Sequence, residues 1–179
     1  MDRFKIDVTR FWWVKDDGRD DPEDLCLHGH VTAQFGDFSV EDDCTVSATA
    51  LRLLQTLTEN HHYQGDNEQM LPCCGHFMIA SDDLQSVYID GCSNGTDWSV
   101  LHENEWIKIV LKDGATFFID PVAYREEVFR FADKVKAFYD SCLPKTPLRE
   151  DPFIQDGYTA FWNEWNRRRS PYDLANTPS

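Results

Sequence analysis

Apolar residues alternate with polar ones along Phe4, Ile6 and Val8, with Lys5, Asp7 and Thr9 between them. This period of two predicts a half-buried strand that continues through Phe11-Trp12-Trp13-Val14 and ends near Lys15. The same period returns in Leu25, Leu27, Val31, Ala33 and Phe35, while Cys26, His28, His30, Thr32 and Gln34 make the opposite, polar face. Gly36-Asp37 predicts a two-residue hairpin turn into Phe38-Ser39-Val40. The period then changes: Ala50, Leu51, Leu54 and Leu57, widened by Leu53, form a helical stripe, with Ser47 as the predicted N-cap and Asn60 or His61 as the stop. A polar loop from His62 to Met70 leads through Leu71-Pro72-Cys73-Cys74-Gly75 into a strand, His76 to Ala80, which turns at Ser81-Asp82-Asp83 and returns as Gln85 to Asp90. Gly91-Cys92-Ser93-Asn94-Gly95 is a turn cluster.

The strongest local signals lie between Thr96 and Cys142. Trp98, Val100 and His102 alternate up to the break at Asn104-Glu105, and Trp106, Ile107, Ile109 and Leu111 resume the run. Asp113-Gly114 predicts a type I′ turn that folds Trp106 to Lys112 back on Ala115 to Ile119. Asp120-Pro121 supplies an N-cap followed by a proline at the first helical position. Val122, Val128, Phe131, Val135, Phe138 and Cys142 then recur at helical spacing until Pro144. Beyond a proline-rich linker, Tyr158, Phe161, Trp162 and Trp165 predict a short amphipathic helix that docks on its own domain, followed by a loose tail from Ser170.

Together these elements predict an α+β protein: one domain with an antiparallel sheet of about seven strands, two packed helices and the C-terminal amphipathic helix. A length of 179 residues suits one core, residues 1–145, with 146–179 as linker and docked helix. No apolar run is long enough to span a bilayer and no secretory signal begins the chain, so the expected location is cytoplasmic, without membrane association.

Charge sharpens the picture. The net charge is −15, and residues 1–107 hold 6 Lys+Arg against 21 Asp+Glu, so all of the excess lies there. Such a field repels phosphate backbones, which argues against nucleic acid as a partner, and it attracts basic proteins. The acids concentrate in Asp16, Asp17, Asp20, Asp21, Glu23 and Asp24, expected as an exposed loop, and in a second loop of Glu41, Asp42 and Asp43. With Trp12 and Trp13 as apolar anchors, these residues are the expected surface for a basic protein partner; solubility alone is the simpler use of the same charge.

Six cysteines and six histidines offer a second chemistry. Cys26, His28 and His30 share a strand face, and Cys73, Cys74 and His76 form a second group, but neither has the paired spacing of structural zinc sites. Adjacent cysteines seldom both reach one ion, so the expectation is no metal and no cofactor. A disulfide framework is unnecessary at this length in a reducing compartment. A thiol- or zinc-dependent enzyme drawing on these residues and Cys92 is the rival reading, although phosphate loops, G-x-S-x-G elbows and H-E-x-x-H helices are absent.

Leu25-Cys26-Leu27-His28-Gly29, the Ser47 to His61 helix, Leu71-Pro72-Cys73-Cys74-Gly75-His76, Gly91-Cys92-Ser93-Asn94-Gly95-x-Asp97-Trp98 and Phe131-Ala132-Asp133-x-Val135-x-Ala137-Phe138-Tyr139 resemble a family of small bacterial proteins akin to the immunity proteins of polymorphic toxin systems. The resemblance spans roughly residues 24–145. It implies a non-enzymatic inhibitor that binds one toxin domain, and it brings no site residues with it.

Overall fold

The computed structural model describes residues 2–63, 68–75, 77–147 and 150–170, without the side chains of Asp16 and Asp17. His76, part of the predicted 62–70 loop and the tail beyond Ser170 lie outside the described residues. Within them the chain forms β1 (Phe4–Trp13), β2 (Leu27–Phe35), β3 (Phe38–Thr45), α1 (Val46–Gln55), β4 (Leu71–Pro72), β5 (Phe77–Ala80), β6 (Val87–Asp90), β7 (Gly95–Thr96), β8 (Trp98–Glu103), β9 (Trp106–Leu111), β10 (Thr116–Ile119), α2 (Pro121–Ser141) and α3 (Pro152–Arg169).

The class is α+β, as the patterning predicts, but one sheet of about seven strands does not form. The strands divide into four antiparallel sheets, β1-β2-β3, β10-β9-β8, β4-β7 and β5-β6. Two features of the chain cause the division. β3 passes directly into α1, which carries the chain off the first sheet, and the segments 73–75 and 91–94 interrupt the ladder between the two shortest sheets. Glu41, Asp42 and Asp43 therefore lie within β3, opposite Thr32, Val31 and His30, rather than in a loop.

α1 is the hub. Every residue from Val46 to Leu54 is buried, and β2, β4, α2 and α3 all touch it. A helix covered on every side needs this near-absence of charge. Its expected cap is corrected by the structure: Thr45, not Ser47, stands at the N-cap, and the Thr45 hydroxyl is shared with His28 Nε2 at 3.1 Å instead of capping the helix. The helix also ends earlier than predicted, at Gln55, where the Thr56 hydroxyl donates to the Leu53 carbonyl at 2.7 Å.

The β9–β10 hairpin forms with a different turn from the one predicted. Only Gly114 has positive φ, +89°. Gly114 N donates to Leu111 O and Leu111 N to Ala115 O, both at 2.9 Å. The loop thus has three residues with glycine at its left-handed position, while Asp113 accepts from Ala115 N at 3.0 Å. α2 begins as predicted, with Asp120 Oδ1 accepting from Val122 N and Ala123 N at 3.0 and 2.9 Å. Its buried face is Tyr124, Val128, Phe131, Ala132, Val135 and Tyr139, leaving Val122 exposed and Phe138 half-buried. α3 docks on its own chain, burying Ala160, Phe161 and Trp165 against β5, β6 and α1. Among the described residues no helix is long and apolar enough to cross a membrane.

Candidate functional site

Leu71 and Pro72 pair with Thr96 and Gly95, and Phe77 to Ala80 pair with Asp90 to Val87. These two ladders thus continue one another as one long hairpin interrupted in the middle. Regular pleating would send Cys73 and Cys74 to opposite faces. The bend that follows Pro72 cancels the alternation, and the sulfurs of Cys73, Cys74 and Cys92 all come within 4.8 Å of one another. Cys73 Sγ lies 2.8 Å from Cys92 Sγ, and the Cys92 N–H donates to Cys74 Sγ at 3.1 Å. Cys73 N donates to Asn94 O at 3.1 Å, closing the interruption.

Two glycines make this approach feasible. A Cβ at Gly91 would overlap the Cys74 carbonyl oxygen, and one at Gly95, whose φ is +142°, would overlap the carbonyl of Leu71. The three thiols are unequal. Hydrogen bonds from Cys73 and Cys74 hold Cys92 below the ordinary thiol value. The hydrogen bond with Cys92, reinforced by burial, raises Cys73, and burial raises Cys74. Cys92 is consequently the thiol nearest to ionisation, beside two donors.

Of the other predicted ligands, the described ones, Cys26, His28 and His30, do not converge there. Cys26 donates its thiol to Gly75 O at 3.2 Å, and burial pushes it up to about 12. It buttresses the loop beneath Cys74. His28 is buried between the Cys26 carbonyl and the Thr45 hydroxyl, and His30 Nδ1 pairs with Asp43 Oδ1 at 2.8 Å. The shared face of Cys26, His28 and His30 therefore splits among separate partners. Cys44 and Cys142 stand apart from the cluster, and all six cysteines are free thiols.

No protein-family model, curated protein or solved structure matches the chain.

In the acidic segment expected to be an exposed loop, Glu23 is exposed, Asp20 and Asp21 are half-buried and Asp24 is turned inward. Lys15–Gly18 forms a single 3-10 turn. Asp24 is buried, with Oδ2 accepting from Lys15 N at 2.8 Å and Oδ1 from Cys26 N at 3.2 Å. Asp20 Oδ1 pairs with Lys145 Nζ at 2.7 Å, and Lys15 pairs with Asp21 and Glu23 at 3.0 and 3.1 Å. Trp13 is buried at 2% exposure beneath Lys145, so it serves the core and not a partner, a correction to the expected anchor pair. Trp12 stays half-buried under the Arg10 guanidinium, 4.7 Å from its ring. On β3, Glu41 and Asp43 are exposed on either side of His30, while Asp42 accepts from the Thr96 hydroxyl at 2.8 Å.

One surface was not anticipated. β5 and β6 form a two-stranded ribbon whose inner residues, Met78, Val87 and Ile89, are buried. Its outer face carries Phe77, Ile79 and Tyr88, exposed by 60%, 42% and 45%, with Asp90 opposite Phe77. Tyr88 also borders a cleft of about 320 Å³ against α1, with Glu59 and Glu68 in its lining. Arg52 in that cleft is turned inward, onto the carbonyls of Gln69 and Ile89. The alternation of Phe77 with Met78 and of Tyr88 with Ile89 was the available signal; apolar residues on both faces of a strand indicate two-sided cover.

Proposed function

We propose that the chain is a non-enzymatic binding protein that occupies a basic protein partner, in the manner of an immunity-type inhibitor covering a basic toxin domain. The observation that carries the reading is the outer face of the β5–β6 ribbon. Three large apolar side chains, adjacent on one face and open to water, are a costly use of surface unless another protein covers them. Asp90 on that face and the carboxylate of Glu68 in the neighbouring cleft add acidic groups that attract Lys and Arg, while Glu59 there is paired with Arg168. The net charge of −15 adds long-range attraction for the same partner. Against an enzymatic reading through the thiols, four of the described histidines, His28, His30, His61 and His102, are engaged with Thr45, Asp43, Asp97 and the Thr56 carbonyl respectively.

The test is affinity capture from the protein's own cells, comparing wild type with Ile79→Arg/Tyr88→Arg. The reading requires that wild type capture a basic protein, that rising salt slow their association, and that the double variant lose the partner while keeping its melting temperature. Undiminished capture by the folded variant, or a captured protein that is acidic, overturns it.

A further inference from the structure

We propose that Cys73, Cys74 and Cys92 form a site for one thiophilic divalent cation, zinc in the first instance, with three protein thiolates and a fourth position open to solvent. Zinc favours thiolate sulfur, and three protein ligands with one exchangeable position is an established coordination pattern for it. The three sulfurs already lie within 4.8 Å of one another. Around a tetrahedral zinc they would stand about 3.8 Å apart, which the Zn–S distance dictates. Cys73 and Cys92, now 2.8 Å apart, would separate by roughly 1 Å, a modest side-chain rotation for the exposed Cys73.

The backbone around the thiols is built for this convergence. Glycine at 91 and 95 lets the two arms of the interrupted hairpin touch, and the Cys73 N–H to Asn94 O bond locks them there. The Cys92 N–H directed at Cys74 Sγ is the kind of outer hydrogen bond that stabilises a metal-bound thiolate. Cys26 is excluded as a ligand, because its thiol is committed to the Gly75 carbonyl. Adjacent cysteines seldom both reach one ion, but the bend after Pro72 brings the Cys73 and Cys74 sulfurs together with that of Cys92. On binding, each thiol releases its proton to solvent, and the ion ties the 73–75 arm to the 91–94 arm at the base of the ribbon.

The experiment uses the full chain, reduced and stripped of metal without oxygen, titrated with Co²⁺ and then with Zn²⁺. We expect a sulfur-to-cobalt charge-transfer band that saturates at one equivalent and is abolished by zinc. Cys73→Ser, Cys74→Ser or Cys92→Ser should each weaken binding at least tenfold, and Cys142→Ser should leave it unchanged. Should a variant fail to fold, alkylation mapping of wild type replaces it: zinc must protect Cys73, Cys74 and Cys92 and leave Cys142 reactive. Absence of the band from folded protein with its thiols reduced overturns the proposal. So does a band that survives Cys92→Ser, or a Cys73–Cys92 disulfide in air from a reduced form that takes up no cobalt, which would make the cluster a redox pair. None of these outcomes depends on whether a protein partner binds the ribbon.

Discussion

Glu164, on α3, accepts a hydrogen bond at 2.8 Å from the backbone N–H of Val87, the first residue of β6. The carboxylate is 1% exposed, and its other oxygen accepts from Gln55 at 3.1 Å and from Arg168 at 2.7 Å. One buried charge thus joins the C-terminal helix, the ribbon and the hub helix. Truncating it strands a buried N–H and removes one partner of Arg168, so Glu164→Ala should cost about 3 kcal/mol. Glu164→Gln retains an acceptor and should cost less. Urea midpoints decide this; a loss under about 0.5 kcal/mol for the alanine variant would show that the carboxylate is idle.

Gly157 gives a prediction of unusual sign. In a solvent-facing helix, Gly→Ala stabilises by roughly 0.8–1 kcal/mol. Here the added Cβ would meet the carbonyl oxygen of Met78, because α3 lies directly on the backbone of β5. Gly157→Ala should therefore destabilise by about 2 kcal/mol, or shift the helix. A raised melting temperature would mean that α3 does not rest on the ribbon.

What could be read in advance follows from how local each cause is. Asp120-Pro121 declares a helix start by itself, and the strands of the first and second three-stranded sheets declare themselves by alternation. The division into four sheets is a tertiary outcome: nothing near Thr45 announces that β3 will turn into a fully buried helix. Cys73, Cys74 and Cys92 could all be named from the sequence, but Cys92 stands 18 residues beyond Cys74, and only the folded hairpin brings the three sulfurs together. The acids were visible as charge, whereas the lysines that neutralise them were not. Lys145 lies in a linker 125 residues from Asp20.

Acid should destabilise the protein through Asp7 and Asp20. Burial alone would raise both carboxyls, but Lys134 and Arg130 around Asp7, and Lys145 with the Leu143 N–H around Asp20, outweigh it and hold them below the ordinary 3.8. A folded-state value below the unfolded one means that the stabilisation is complete above the unfolded value and disappears as pH falls through the folded one. Melting temperature should accordingly be flat from neutrality to about pH 5 and fall below about pH 4. In Asp7→Asn that acid limb should be shallower and the neutral plateau lower; an unchanged limb would show that the Asp7 pairs carry no net energy.

The clasp formed by Asp20 and Lys145 yields the last prediction. Lys145 Nζ lies 3.4 Å from the centre of the Trp13 ring, 2.7 Å from Asp20 Oδ1 and 2.8 Å from the Asp21 carbonyl. Its side chain is 2% exposed. A desolvated ammonium on an indole face with a carboxylate partner is strongly held, so Lys145→Met, which keeps the stem and deletes the charge, should cost about 1–3 kcal/mol. Asp20 and Asp24, by these contacts, carry a structural role. Neutralising Asp20, Asp21, Glu23 and Asp24 together should lower the melting temperature, because the clasp on the 142–146 linker and the Asp24 acceptors for Lys15 and Cys26 are weakened at once. Were these acids merely a solvated surface, the quadruple Asn/Gln variant would melt with wild type, and that coincidence, measured by differential scanning calorimetry, would return the segment to the role of a partner-facing loop. The opposite result also bears on partner binding: lost capture by a variant that has loosened its own fold says nothing of a direct contact, so the ribbon variant Ile79→Arg/Tyr88→Arg is the cleaner probe.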